Sequence, residues 1–163
     1  AEKVREFERI QERERGEAPL VLASVLTEVE QTVAAAHSAA EIDWTLSPSE
    51  MALRTDPVLL SMLLVNLVEN GIVHSAAGHE EVRINVFETE GADRAVAFEV
   101  RDWNDRIPEQ EIDTLRAGDE TALQHGQGIG LWIVYWSVQK LNGTIEFTYD
   151  DGNVVTVLIP RAS

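Results

Sequence analysis

The stretch DPVLLSMLLVNLVENGIVHS, residues 56–75, constrains this chain more than any other segment. Asp56 followed by Pro57 is a helix start: the Asp caps free N–H groups, and Pro fits the first turn. The helix that follows is apolar on nearly every side, so it must be buried on nearly every side, which requires other elements stacked around it. Asn66 and Asn70 interrupt the apolar run. They stand four residues apart and therefore share one face. Two amides on a buried face need partners. Either they form an internal hydrogen-bonded pair that caps nearby backbone, or they serve an oxygen-coordinated Mg²⁺ with its waters beside phosphates.

The rest of the chain supplies the stacking elements. Val21, Val25, Val29 and Val33, four apart after Pro19, predict a helix beginning near Leu20. EIDWTL (41–46) alternates like a strand; SPSE then turns the chain, and MALRT (51–55) reads as the partner strand. EVRINVFE (81–88) and AVAFEVRD (95–102) form a second strand pair, and a short helix follows Pro108. GIGLWIVYWSVQKLNG (128–143) is another apolar helix, closed by Gly143, and the last strands fold back around Asp151-Gly152. The fold class is α+β, with helices on one face of a mixed, mostly antiparallel sheet. Residues 1–16 carry only Val4, Phe7 and Ile10 as a thin apolar stripe. They read as a helical arm, either solvated or the tail of a longer helix that pairs with a partner, and 17–163 as the folded domain.

Composition removes whole classes of function. With 29 acidic and 13 basic residues, the formal net charge is −16, which opposes binding to nucleic acid or to anionic membranes. The chain has no Cys, so disulfides, thiolate metal sites and cysteine nucleophiles are excluded. No apolar run approaches the roughly 20 residues of a membrane helix, and AEKVREFERI has no signal-peptide core. A cytoplasmic domain of a longer protein is expected. Lys3 and Lys140 are the only lysines; the other eleven basic residues are Arg. Such an acid-rich, Lys-poor surface suits a halophilic cytoplasm, where molar salt screens charge within about 3 Å.

Two further features carry chemistry. HGQGIGL (125–131) is a G-x-G-x-G run opening a helix. It is either a plain loop-to-helix turn or a cradle in which backbone N–H groups and the helix dipole attract phosphate. It matches neither the dinucleotide fingerprint nor a P-loop. Asp102 ends an apolar strand, where a carboxylate either forms a turn or accepts hydrogen bonds from a buried N–H donor such as an exocyclic amine.

These motifs fall in one order: Asn-bearing helix, strand ending in Asp, polar segment, Gly-rich helix start. In that order and spacing, residues from about 50 to 160 resemble the GHKL (Bergerat) ATP-binding fold of gyrase, mismatch-repair MutL and sensor histidine kinases. The catalytic domain of histidine kinases is the nearest likeness. NLVENGIVHS resembles their N box, VRDWNDRIP their first glycine box and HGQGIGL their second. The resemblance implies a two-layer α/β sandwich, ATP and Mg²⁺ as ligands, and a set of roles. Asn70 holds Mg²⁺ with Asn66 in support, and Asp102 accepts the adenine amino group. Ile107 lines the adenine pocket, and His74 lies against the nucleotide unless it is satisfied locally at its helix end. Gly126, Gln127, Gly128, Ile129, Gly130 and Leu131 hold phosphates, and residues 103–125 form a lid. It also implies a homodimeric two-component parent whose dimerisation helices carry the phosphoacceptor His and pass the phosphoryl group to a response-regulator receiver domain.

Departures from the family pattern bear on activity. ATP-hydrolysing relatives carry Glu four residues before the metal Asn; Asn66 stands there, which favours transfer to a protein acceptor over water. Asn104 and Arg106 replace glycines of the first box, and Val73 replaces a basic residue. They motivate an alternative, a degenerate non-catalytic module that binds nucleotide weakly or acts by docking. His37, His74, His79 and His125 all lack the acidic helix motif of the family's acceptor, so the expected enzyme is the catalytic portion alone, unable to phosphorylate itself.

Overall fold

Residues 2–12, 16–90, 94–118 and 129–161 are described by the computed structural model. In chain order they form α1 (Glu2–Glu12), β1 (Ala18–Val21), α2 (Leu22–Ala36), β2 (Glu41–Ser47), β3 (Ala52–Thr55), α3 (Pro57–Val73), β4 (Glu81–Glu88), β5 (Ala95–Arg101), α4 (Glu109–Ala117), α5 (Ile129–Lys140), β6 (Thr144–Tyr149) and β7 (Asn153–Pro160). Five strands make one sheet in the order β2-β4-β5-β7-β6. Its β2–β4 pair is parallel and the others are antiparallel. The expected α+β sandwich is the observed architecture.

The helix that the sequence singled out lies in the middle of the helical layer. Asp56 caps α3, its Oδ1 accepting from the N–H groups of Val58 (2.9 Å) and Leu59 (3.1 Å). Its Oδ2 accepts from Gly16 N–H (2.8 Å), which ties the chain between α1 and β1 to the same cap. Such a cap contributes about 1 kcal/mol. α3 packs against α2, α5, β4 and β5, which buries most of its apolar residues, but not all of them as the sequence pattern predicts: Val58 and Val73 are exposed. Beneath it, Val82, Ile84 and Val86 of β4 and Val96, Phe98 and Val100 of β5 are buried.

Two expectations are corrected. Residues 51–55 do not pair with 41–46: β3 pairs antiparallel with β1 in a separate two-stranded ribbon, Ala18 opposite Thr55 and Val21 opposite Ala52. β2 instead lies parallel to β4, Glu41 opposite Glu81. Parallel strands need a crossover connection, and α3 provides it, so Ile42, Trp44 and Leu46 pack against the core. The helix expected from Leu20 begins at Leu22, because 18–21 is a strand. Val25, Val29 and Val33 are buried as the four-residue spacing requires, but Val21 is 55% exposed.

α1 turns one residue of its stripe, Phe7, toward the domain, while Val4 is exposed. Phe7 is buried, edge-on to the Trp136 ring of α5 at 6.2 Å. Among the described residues, no helix is long and apolar enough to cross a membrane.

Candidate functional site

A cleft of about 260 Å³ opens where the C-terminal half of α3, the end of β5 and the start of α5 meet. Asp102 sits at its base, at the point where β5 ends. Its residue is only 7% exposed, so the carboxylate requires partners. Oδ1 accepts from the backbone N–H groups of Asn104 and Asn153, both at 2.9 Å, and from Asn153 Nδ2 at 3.2 Å. Oδ2 receives one long bond, 3.4 Å from Asn153 Nδ2. One carboxylate oxygen is thus committed to the fold, and the other keeps acceptor capacity toward a ligand N–H.

Two glycines permit this placement. A Cβ on Gly71 would meet Val82 Cγ2 at 2.7 Å and Asp102 Cβ at 3.3 Å, so α3 lies against the end of β5 only because residue 71 has no side chain. A Cβ on Gly152 would collide with the Asp102 carbonyl, so the β6–β7 turn can cross the same strand end.

Asn153 was not singled out by sequence, and it organises the base of the cleft. Besides holding Asp102, its Nδ2 donates to Asp105 O (2.9 Å) and its Oδ1 accepts from Ile107 N–H (2.9 Å). Ile107 lines the cleft through this tether. Its only sequence signal is its place after Asp151-Gly152, which a turn alone explains.

The glycine replacements have structural partners. Asn104 donates through Nδ2 to Gly71 O (2.9 Å), linking the strand-end loop to α3. Arg106 lays its guanidinium over the Tyr149 ring, 4.9 Å from the centroid. Neither is among the described non-glycine residues with positive φ, so neither position demands glycine.

Asn70 and His74 line the same cleft from α3. Among the described residues, the Asn70 side chain has no hydrogen-bond partner, which leaves its amide oxygen available to a cation. His74 is the C-cap of α3, its N–H donating to Asn70 O (3.3 Å). Leu131, buried at the start of α5, closes the opposite wall. Ile129 and Gly130 are the first residues of α5 and are half-buried. Gly126, Gln127 and Gly128, and residues 119–125 of the expected lid, lie outside the described residues.

Asn66 points elsewhere than to the cleft lining. It is 2% exposed, and α1 engages both ends of its amide. Oδ1 accepts from Lys3 Nζ at 2.5 Å, while Nδ2 donates to Glu6 Oε1 (3.1 Å) and to Met62 O (2.7 Å). Lys3 also bonds Glu69 Oε1 (3.1 Å), whose other oxygen meets His37 Nε2 (3.1 Å).

Comparison with known proteins gives a matching result. A family model described as histidine kinase-, DNA gyrase B- and HSP90-like ATPase matches residues 55–163. No curated protein matches the sequence. Among solved structures, the Acinetobacter baumannii histidine kinase AdeS is similar with a TM-score of 0.71 and 18% identity, over 99% of this chain and 77% of that one. Full-length ShkA in complex with AMPPNP is similar with a TM-score of 0.78 and 23% identity, over 99% of this chain and 35% of that one. The nucleotide-free catalytic domain of histidine kinase ThkA is similar with a TM-score of 0.72 and 19% identity, over 91% of this chain and 99% of that one.

Proposed function

Because this chain belongs to the histidine kinase-, DNA gyrase B- and HSP90-like ATPase family, we propose that it is the ATP-binding catalytic module of a sensor histidine kinase. In this reading it works in the cytoplasm and transfers the ATP γ-phosphoryl group to a histidine on a dimerisation helix of its parent. The observation that carries the reading is the base of the cleft, where Asp102 keeps one buried carboxylate oxygen available beside Asn70.

Adenine binds with its amino group on Asp102 Oδ2 and its ring along Ile107. Asn70, whose amide has no partner among the described residues, is the side chain in the same cleft suited to hold Mg²⁺, and the donor chemistry fits because Mg²⁺ takes oxygen ligands. Bound there, Mg²⁺ supplies neutralisation of the phosphate charge. The N-terminus of α5, with its preceding Gly-rich run, offers N–H groups to the phosphates. The acceptor imidazole nitrogen then displaces ADP in line, and positioning provides most of the rate enhancement. Asn66 offers no general base, so transfer to histidine outcompetes transfer to water. α1 is read as the end of the parent's dimerisation helix. A homodimeric parent and a response-regulator receiver complete the proposed pathway.

The test has two stages. Calorimetric titration with ATP and Mg²⁺, in molar KCl, is expected to give saturable one-site binding that weakens when Mg²⁺ is withdrawn. Labelled γ-phosphate is then expected to appear on a separately made helix-hairpin partner and not on this chain alone. Binding without transfer would favour the degenerate module; phosphate release without an acceptor would favour a hydrolase.

A further inference from the structure

We infer that Lys3, carried on α1, is a specificity-determining residue that contacts the terminal phosphate of the nucleotide, so that the arm distinguishes a triphosphate from a diphosphate. The inference rests on the ATP-site reading above.

The order of groups along α3 sets the direction of the ligand. Gly71 abuts Asp102, where the base binds. Asn70 is the next residue, and Asn66 lies four residues further back, about 6 Å along the helix. Gly130, at the start of α5, faces that same turn: a Cβ placed on it would lie 3.9 Å from Asn66 Oδ1. A nucleotide with its base at Asp102 and its metal at Asn70 therefore points its last phosphate at the corner between Asn66 and Gly130. Lys3 Nζ lies on the Asn66 side of that corner, 2.5 Å from Asn66 Oδ1.

The ammonium is suited to the task. It has three N–H donors; the bonds to Asn66 and to Glu69 Oε1 (3.1 Å) use two of them, and the Glu6 carboxylate lies 3.7 Å away as a second ion-pair partner. Glu69 is braced in turn by His37 Nε2 at 3.1 Å, so the cation is held by fixed partners.

Charge balance makes the same point. The described cleft lining includes the acids Asp102, Asp105 and Glu111, and its one arginine, Arg106, is stacked on Tyr149. Val73 stands where the family pattern has a basic residue, and residues 119–128 contain neither Lys nor Arg. Among the described residues, Lys3 is the cation that reaches Asn66.

A consequence follows from linkage. If α1 binds the terminal phosphate, that phosphate must stabilise the docked α1 by the same free energy. ATP would then hold the arm on the domain more firmly than ADP.

The experiment is calorimetry with the β,γ-imido analogue of ATP and with ADP, both with Mg²⁺, on the unaltered chain, Lys3→Met, Lys3→Arg and Glu6→Gln. Lys3 has a side chain 38% exposed, so its replacement leaves the folded core untouched, which circular dichroism verifies. Lys3→Met is expected to weaken the triphosphate by about tenfold, the scale of one lost charge-assisted hydrogen bond, and ADP by less than about twofold. Lys3→Arg should restore most of the difference. Glu6→Gln, which alters docking without removing the cation, should leave the ratio of the two affinities unchanged. In a parallel hydrogen-exchange measurement, the triphosphate should slow exchange in residues 2–12 more than ADP does. Equal losses for both nucleotides in Lys3→Met, or no loss, would overturn the inference while leaving the ATP site standing. Failure of the unaltered chain to bind either nucleotide would overturn the ATP reading and the inference with it.

Discussion

At the scale of single residues, the site depends on atoms that are missing as much as on atoms that are present. Gly71 lets α3 approach β5, and an added methyl group would have to displace the Val82 side chain and the Asp102 Cβ. Gly71→Ala is therefore expected to cost about 1–3 kcal/mol, the usual penalty of overpacking. Thermal denaturation should register this as a Tm lower by several degrees, and nucleotide affinity should fall with it because Asp102 is shifted. An unchanged Tm would mean that α3 moves aside freely. Asp102→Asn makes the opposite separation. The new amide can keep its oxygen toward the three N–H donors that Oδ1 now serves and turn its NH₂ toward the cleft. The fold should survive within about 1 kcal/mol, the worth of one hydrogen bond, while ATP affinity drops at least about tenfold, since an acceptor facing the adenine amine becomes a donor. Calorimetry beside a melting curve reads both quantities; unchanged affinity would place the base elsewhere.

At the scale of elements, α1 is an attachment and α3 is a keystone. An 11-residue helix is marginal alone in water. Among the described side chains, Phe7 is its buried apolar anchor, packed against Trp136 in a group that includes Trp132 and Tyr135. Phe7→Ala removes an interaction of the size that costs about 3–5 kcal/mol in a core, more than a marginal helix can bear. Backbone amides of residues 2–12 are expected to lose protection from hydrogen exchange, while those of α3 and α5 keep theirs. Loss of protection in all three helices together would make α1 an integral part of the cooperative unit. α3, by contrast, is surrounded, and its cap Asp56 also receives Gly16 N–H, so its start is bound to the segment that follows α1.

At the scale of the whole molecule, the dominant quantity is the net charge of −16. Several of the described arginines are already drawn into surface pairs, among them Arg54–Glu17 (3.8 Å), Arg94–Glu88 (3.3 Å) and Arg101–Asp150 (3.8 Å). Exposed pairs of this kind contribute at most about 1 kcal/mol each, and a large surplus of carboxylates remains to repel one another. Salt should therefore stabilise the chain: calorimetry from 0.1 to 2 M KCl is expected to show Tm rising, as screening shortens from about 10 Å toward 3 Å and below. A flat Tm would mean that the surplus charge is spread widely enough to cost nothing.

Read alone, the amino-acid sequence determined the features that depend on neighbours along the chain. The Asp56-Pro57 cap, the β4–β5 and β6–β7 pairs and the helix opening at the Gly-rich run all follow from short-range chemistry and periodicity, whereas the burial expected on nearly every side of α3 stops at Val58 and Val73, 44% and 65% exposed. The ordered boxes were also enough to point to the ATPase family that matches residues 55–163. Only the tertiary structure decided what depends on distant parts meeting. The SPSE turn was compatible with a local hairpin, but burial of Ile42, Trp44 and Leu46 is met by the parallel pairing of β2 with β4. Asn153 resembles a turn residue until β7 brings it beside Asp102, 51 positions away. Lys3 resembles an arm residue until α1 folds back onto Asn66, 63 positions away. The physical reason is that hydrogen-bond and packing demands are written locally, as a donor, an acceptor or an apolar face, whereas the partner that meets each demand is chosen by the assembled fold.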